Sequence, residues 1–253
     1  KQARNGISLG MNTTNSILFK RGNNNIFATY IRDKSQFSIN QNEDYQNYSH
    51  QESEELRQYL LPNNSWHKIE QQSLLMRTLS ATHGTTLKYN FTQPNNFVFQ
   101  VQGYITSHRT PKLKKSFLVR ETGKSDYIYH THNRDEYNSN ALNLYFKKYL
   151  PNKQVLMFNA VGTSINSDYD YRYNQEDNGF QTSYGVEGKK SSVIGEARYS
   201  KDFEWGSLTS GIHSFYEHTK NHYTSSASNE GKMINISSKV YVQLDGRWGK
   251  FSG

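Results

Sequence analysis

Hydrophobic and polar residues alternate along most of the chain, and the clearest example is residues 142–166. In its first half, Leu142, Leu144 and Phe146 alternate with polar residues, and a Pro-Asn-Lys turn follows. Alternation with period two that is broken by Pro-Asn is typical of a β-hairpin. In the second half, residues 155–161 are nearly all apolar. The alternation therefore leaves open which side of that second strand is its apolar side.

The same plan recurs through the rest of the chain and predicts about ten strands. They lie within residues 6–20, 26–31, 37–42, 72–91, 97–108, 142–150, 154–166, 181–200, 208–216 and 234–244, with a bulge at 188–190. Residues 22–25 are a predicted turn, and residues 52–61, followed by proline, are a predicted short helix. Polar segments at 50–68, 109–139, 168–179 and 221–230 are predicted connections.

From the third strand onward, the connections between the predicted strands are alternately long and short, with tight turns between the long polar segments. In an up-and-down antiparallel sheet, all long loops then emerge at one end and all tight turns at the other. Outer-membrane β-barrels are built in this way, with short periplasmic turns and longer external loops. We therefore expect an all-β, antiparallel up-and-down transmembrane barrel segment with one apolar, lipid-facing side. The residues expected to face lipid are Phe97, Phe99, Val101, Ile105, Leu142, Leu144, Phe146, Ile234, Ile236, Val240 and Val242.

The composition agrees with a sheet that is apolar on one face only. The 253 residues are 34% hydrophobic, and their mean hydropathy is −0.91. Yet 14% are aromatic, which argues against disorder. No apolar run reaches the roughly 18 residues that a transmembrane helix needs, so only strands could cross a membrane. Cysteine is absent, which excludes a disulfide framework.

Several segments resemble the barrel of TonB-dependent receptor-like outer-membrane proteins of Bacteroidota. They are LNLYFKKYLPNKQVLMFNAVGTSIN at 142–166, NFTQPNNFVFQ at 90–100, GKKSSVIGEARYSKDF at 188–203 and YVQLDGRWGKFS at 241–252. They occur in the order expected for that family and span most of the chain. None of them is a catalytic motif.

The resemblance implies a barrel in the outer membrane of a Gram-negative bacterium that imports a bulky nutrient. It implies energy from the TonB system and a surface lipoprotein as partner. Such transporters have about 22 strands and a plugged lumen. We therefore interpret residues 1–253 as one partial barrel domain without signal peptide, plug, TonB box or terminal strand.

Ligand-binding residues are expected in the long loops, where aromatic rings could stack on sugars or other flat groups. The candidates are Tyr127, Tyr129, Tyr169, Tyr171, Tyr173 and Trp66, and packing of the loops against themselves is the alternative explanation for them. No glycine-rich phosphate loop, nucleophile elbow or His-Glu zinc helix is present, so we expect neither an enzyme nor a cofactor.

Three groups of residues invite a metal interpretation that their spacing does not support. Asn166, Asp168, Asp170 and Asp177 imitate a calcium loop, but its sixth position lacks glycine and its twelfth lacks glutamate. Along an extended segment, His213 points to the opposite side from His218 and His222. The metal-capable residues within 130–136 have no known ligand spacing. We therefore expect no metal site.

The formal charge of +8 raises the question of nucleic acid. The basic residues are spread over strands and turns without a recognition motif, so we expect no nucleic-acid partner.

Two alternatives to a transporter barrel stay open. One is a soluble secreted β-sandwich that binds glycans, in which the apolar residues would be buried. The other is an outer-membrane barrel used for adhesion or assembly rather than transport.

Overall fold

The computed structural model describes residues 5–18, 20–49, 52–225, 228–248 and 251–252, and their regular structure is entirely antiparallel β-sheet. The strands are β1 (Gly6–Ser16), β2 (Arg21–Arg32), β3 (Ser35–Tyr48), β4 (Glu54–Leu60), β5 (Trp66–Gln93), β6 (Phe97–Glu121), β7 (Tyr127–Leu150), β8 (Gln154–Gln175), β9 (Gln181–Phe203), β10 (Gly206–Thr224), β11 (Asn229–Trp248) and β12 (Phe251–Ser252).

Eleven of these strands form one up-and-down path in which each strand pairs with the next, except that β3 pairs with β5. The remaining strand, β4, pairs with β5 beyond β3, because Tyr48 is opposite Thr78 and Glu54 is opposite Gln72. Within the described residues the sheet is open, with β1 at one edge and β12 at the other. The prediction of an all-β up-and-down sheet is confirmed, and the closed barrel stays a prediction.

The prediction of long external loops is wrong. The connections at one end of the sheet are residues 33–34, 94–96, 151–153 and 204–205, and we call this the tight-turn end. At the other end, which we call the far end, the connections are still only four to five residues long, such as 122–126 and 176–180. The segments expected as loops are mostly strand: β6 and β7 occupy residues 109–139 except for the connection at 122–126, and β8 continues to Gln175.

Smaller predictions near the first three strands also fail. Residues 54–60 are β4 and not a helix, because their backbone pairs with that of residues 66–72. The turn predicted at 22–25 lies inside β2, and β1 ends at Ser16. The chain reverses instead at 17–20; Phe19 lies outside the described residues. The bulge predicted at 188–190 is absent, since the register from β8 through β10 is continuous there.

Irregularities in the register occur instead in the far-end half of β5 and β6. The β5–β6 register shifts between Ser73 and Leu75 and again between Leu79 and Ala81. The β6–β7 register shifts between Thr110 and Leu113, where Pro111 lacks the amide proton that the ladder would use. A proline inside a long strand is thus accommodated by a bulge.

The strands are tilted relative to the line of tight turns. One row of directly opposite residues runs through Phe37, Tyr89, Val101, Leu144, Ala160, Gly195 and Ser214. The distance along the chain from this row to the adjacent tight turn increases across the sheet. It is three residues along β3 to Lys34, five along β6 to Asn96, seven along β8 to Lys153 and nine along β10 to Trp205. The turns therefore shift by one residue per strand. A shift of about 3.4 Å per strand spacing of about 4.8 Å corresponds to a tilt of about 35°.

The sheet has little packed interior. Among the described residues, only Met76, Phe117, Val119 and Met157 are buried apolar side chains. No second layer of secondary structure covers either face in the described part of the chain. No helix long and apolar enough to span a membrane occurs among the described residues.

Candidate functional site

The register brings the apolar positions of ten successive strands onto a single face, which we call the apolar face. Residues directly opposite each other in neighbouring strands point to the same side of a sheet. Phe97 is thus connected through Lys148, Leu156, Tyr199 and Ser210 to Val242. The same face carries Ile7, Leu9, Met11, Ile26, Ala28, Tyr30, Phe37, Ile39, Leu87, Tyr89, Phe91, Phe158, Ala160, Val193, Ala197, Leu208, Ile212, Tyr216 and Leu244.

All eleven residues predicted to face lipid lie on the apolar face. They are Phe97, Phe99, Val101, Ile105, Leu142, Leu144, Phe146, Ile234, Ile236, Val240 and Val242, and none is buried. Leu9 is 75% exposed near one edge, Ile105 is 54% exposed in the middle of the sheet and Val240 is 78% exposed near the other edge. Their contact with lipid stays a prediction.

A wide band of this face has no charge. On β6 the face runs from Phe97 to Ser107 without an ionisable side chain and reaches Arg109 beyond it. On β9 the corresponding band lies between Lys201 and Lys189. On β11, Lys232 is the first charged residue beyond Ile234 on the far-end side. Charged or ionisable residues therefore border the band on both sides. On this face Lys148 lies opposite Phe97 at the tight-turn border, and His218 lies opposite Ile234 at the far-end border.

The opposite face of the same strands, which we call the polar face, is charged at the same level. Lys88, Lys147, Glu196, Arg198, His213 and Lys239 lie there. The Arg198 guanidinium donates to the Met157 sulfur at 3.3 Å, and the Tyr241 hydroxyl donates to Glu196 Oε1 at 2.8 Å. Adjacent residues along each strand thus occupy two chemically different environments.

The register also decides which side of β8 is its apolar side. Leu156, Phe158 and Ala160 are opposite Lys148, Phe146 and Leu144, so they lie on the apolar face. Met157, which is 9% exposed, lies on the polar face against Arg198. Neighbouring strands supply the information that the composition of β8 lacks.

Aromatic residues gather on the apolar face near the tight-turn end. Phe91 stacks on Phe97 with ring centroids 5.2 Å apart, and Phe146 lies 6.1 Å from Phe97. The Tyr199 hydroxyl donates to Gln154 at 2.8 Å, and the Tyr89 hydroxyl lies 3.2 Å from Ser35. Both hydroxyls thus meet polar groups where the strands begin or end. Aromatic side chains with an apolar ring and a polar tip are typical of a membrane interface.

A second aromatic group lies on the polar face at the far end, and we call it the aromatic row. Tyr129 lies between Phe117, at 5.2 Å, and Tyr173, at 5.3 Å, and both contacts are stacked. Further along, Tyr184 contacts Tyr171 at 5.2 Å and Tyr169 at 5.8 Å. The ring faces of Tyr129 are covered by its neighbours. Tyr184, by contrast, makes tilted contacts and is 44% exposed.

Close packing in the row raises the pKa of its phenols. Burial raises the pKa of Tyr129 to about 12, with neighbouring tyrosines adding to the shift. Burial, followed by a hydrogen bond with Tyr184, raises the pKa of Tyr169 to about 12. Burial also raises the pKa of Tyr171 and Tyr173. The row therefore offers hydroxyl donors to a ligand and no tyrosinate anion at neutral pH.

Four of the six predicted ligand-binding residues belong to this row, in strands and not in loops: Tyr129, Tyr169, Tyr171 and Tyr173. Tyr127 begins β7 on the same face, opposite Val119. Trp66 is separate from them, because it begins β5 on the other face, opposite Leu60, and is 64% exposed. The structure brings the tyrosines together and leaves the tryptophan outside the group.

Phe117, Phe180 and Tyr184 join the aromatic row without having been predicted. Each is an isolated aromatic residue in a polar stretch of sequence. The signal that finds them is the cross-strand register, which places Phe117 opposite Tyr129 and Tyr184 opposite Tyr171. Phe180 follows the connection after β8 and contacts Tyr173 edge-on at 6.0 Å.

The residues considered for metal binding lie in strands, except Asp177, which lies in the turn between β8 and β9. Asn166, Asp168 and Asp170 alternate along β8 and share the face of the apolar band, beyond its edge. His213 lies on the opposite face from His218 and His222, as expected for an extended segment. No group of three or more metal-ligating side chains comes together among the described residues.

Comparison of the chain with models of known protein families gives no match, and comparisons with curated proteins and with solved structures give none either. The resemblance to TonB-dependent receptors therefore stays an expectation from sequence.

Proposed function

We propose that this sheet is part of the wall of an outer-membrane β-barrel of the TonB-dependent receptor type, which takes up a bulky nutrient. The observation that supports the proposal most strongly is the charge-free apolar face that extends over ten strands and has no covering layer. Apolar patches on soluble monomers rarely exceed a few hundred Å², and larger ones are interaction surfaces.

Lipid is the partner that fits this face. A bilayer core offers no hydrogen-bond partners, so a spanning sheet pairs all its backbone groups and turns apolar side chains outward. Bordering charges at Lys201 and Lys189 lie where such a sheet would leave the hydrocarbon. The charged polar face would then line the aqueous lumen, where Lys88 and Arg198 need no lipid contact.

The dimensions of the band fit a bilayer. On β6 the apolar stretch from Phe97 to Ile105 has nine residues, and on β11 the stretch from Ile234 to Leu244 has eleven. At about 3.4 Å per residue and a tilt of about 35°, these stretches span about 22 to 28 Å. The apolar band of outer-membrane barrels is about 25 Å tall, with strands tilted by about 35–45°.

The asymmetry between the two ends suggests an orientation. Connections of two to three residues at the tight-turn end correspond to the short periplasmic turns of such barrels. Strands continue beyond the band at the far end, where β5 to β9 form a polar extension. In this orientation the aromatic row lies on the lumen side outside the membrane, where a ligand would first arrive.

Transport itself rests on the resemblance found in the sequence. The resemblance suggests TonB as the energy source, a nutrient as ligand and a surface lipoprotein as partner. In lipid the open edges at β1 and β12 would need pairing partners, because unpaired edge strands leave backbone groups without hydrogen bonds.

A soluble glycan-binding sandwich is less consistent with the fold. A sandwich needs a second sheet to bury residues such as Val101 and Val240, and the described strands form a single layer. An adhesion or assembly barrel would share the same lipid-facing wall. Its distinction from a transporter lies in uptake, which an experiment can measure.

Labelling of single cysteines in intact cells tests the membrane location and orientation, since the chain itself contains no cysteine. In the full-length protein, we expect Ser125→Cys at the far end to react with a membrane-impermeant maleimide. Asn152→Cys at the tight-turn end should react only after the outer membrane is permeabilised. Recovery of the protein as a soluble secreted species would contradict the proposal, and reversed labelling would contradict the orientation.

Uptake distinguishes the transporter from the adhesion barrel. Deletion of the gene should abolish growth on at least one limiting nutrient, and a protonophore should block uptake of that nutrient by the wild type. Complementation with Tyr173→Ala should restore uptake less well than complementation with Trp66→Ala, since only Tyr173 faces the lumen side. Unchanged uptake of every nutrient, together with lost cell adhesion, would favour the adhesion barrel.

A further inference from the structure

Three lysines form a row across the apolar face, at the far-end border of the charge-free band. Lys189 of β9 is directly opposite Lys220 of β10, and Lys220 is directly opposite Lys232 of β11. We call these residues the lysine row. All three side chains are exposed. The next residue toward the tight-turn end on this face of β11 is Ile234, so the lysine row adjoins the apolar band.

Like charges directly opposite each other in neighbouring strands are destabilising. The fold could offset this with carboxylates in the same row, but it does not, because the remaining neighbour is Asn166 of β8. The nearest acidic residues on this face, Asp168, Glu187 and Glu230, lie in the next row away from the band, where Asp168 pairs with Arg134 at 3.3 Å. Glu230 reaches Lys220 at 3.6 Å, and no described ion pair engages Lys189 or Lys232.

We propose that the lysine row binds phosphate groups of anionic lipid in the leaflet at the far end of the sheet. This inference rests on the proposed function, which places the band in hydrocarbon and the row at head-group level. Lysine is a flexible point charge suited to phosphate, and its stem packs along apolar surface while its amine reaches the interface. Phosphate oxygens between neighbouring amines would replace the repulsion with attraction.

Selectivity for lipid can be measured directly on the full-length protein reconstituted in phosphatidylcholine. Electron spin resonance of spin-labelled phosphatidylglycerol and phosphatidylcholine gives the relative association constant of the anionic lipid. Each lysine near an anionic surface is worth about fivefold in binding. We expect the triple variant Lys189→Gln, Lys220→Gln, Lys232→Gln to lower this constant at least fivefold and to weaken its dependence on salt.

The matched control removes the same number of positive charges from the polar face. Lys88→Gln, Lys147→Gln, Lys239→Gln removes three lysines at the level of the band, and it should leave the association constant unchanged within twofold. Inorganic phosphate, added at constant ionic strength, should not displace the labelled lipid. Displacement by phosphate would identify a general anion site and overturn the lipid assignment.

The two proposals fail in different ways. If a nitroxide at Val101 is not in contact with lipid, the proposal that the sheet is a membrane-barrel wall is contradicted. A lipid-exposed Val101, combined with an equal lipid preference in wild type and triple variant, would overturn only the lysine row. An equal loss in the control variant would also overturn it, because the effect would then follow net charge and not position.

Discussion

Tyr241 of β11 reaches across β10 and donates a hydrogen bond to Glu196 of β9 at 2.8 Å. Gly211 lies between them, directly opposite both Tyr241 and Arg198. The tyrosine ring occupies the space above Gly211 that a side chain would fill. This contact on the polar face joins three strands, and it requires a glycine in the middle one.

Gly211→Ala should therefore destabilise the sheet by about 1–3 kcal/mol, the usual cost of overpacking. An added Cβ would lie 2.6 Å from the Tyr241 ring and 2.8 Å from the Ala197 carbonyl oxygen, and the second atom belongs to the backbone. Gly195→Ala is the matched control, because a Cβ there meets nothing within 4 Å. Urea unfolding of the reconstituted protein measures both. Equal stability of the two variants would contradict the role given to Gly211.

Arginine substitutions distinguish the two faces of β6. Val101→Arg should cost about 2–4 kcal/mol of unfolding free energy, as expected for a lipid-facing arginine near the bilayer midplane. Gln100→Arg, one residue away on the polar face, should cost much less. The comparison uses unfolding in lipid vesicles. Similar costs at the two positions would argue against a sheet with lipid on one side only.

Titration of the tyrosines at high pH tests the packing of the aromatic row. The pKa of Tyr129 is raised to about 12, above the value of about 10 for a free phenol. The fold thus favours the neutral phenol, and the stabilisation is fully present below pH 10 and lost as the pH rises through about 12. Difference absorbance between wild type and Tyr129→Phe should show a tyrosinate forming with a midpoint near pH 12.

A midpoint near pH 10 for this difference would contradict the packed row. The unfolding free energy gives an independent readout, because the wild type should lose stability more steeply between pH 10 and 12 than Tyr129→Phe. Tyr169, whose pKa is also raised to about 12, contributes in both proteins and serves as an internal reference.

The sequence predicts the half of the long strands nearest the tight-turn end well, and the half nearest the far end poorly. In the band, Phe99 and Val101 alternate with Gln100 and Gln102, so period two is visible. Beyond Arg109 both faces of β6 carry polar and charged residues, and the alternation disappears although the backbone pairing continues. Hydrogen bonds and ion pairs hold that part together, for example Arg120 with Glu70 at 2.9 Å.

The aromatic row was predictable only in part for a related reason. Tyr169, Tyr171 and Tyr173 have even spacing in one strand, which marks them as a group. Phe117 and Tyr184 belong to other strands. Only the register brings Phe117 to 5.2 Å from Tyr129 and Tyr184 to 5.2 Å from Tyr171. Pairings between distant segments cannot be read from composition, and the same limit left the apolar side of β8 open.

The central claim is that one face of this sheet meets lipid and the other meets water. A nitroxide scan of residues 97–105 in the full-length reconstituted protein tests it most directly. Accessibility to oxygen should peak at Phe97, Phe99, Val101, Gly103 and Ile105, and accessibility to a water-soluble nickel chelate should peak at the residues between them. Oxygen and nickel profiles that rise and fall together, or a segment inaccessible to both reagents, would contradict the claim.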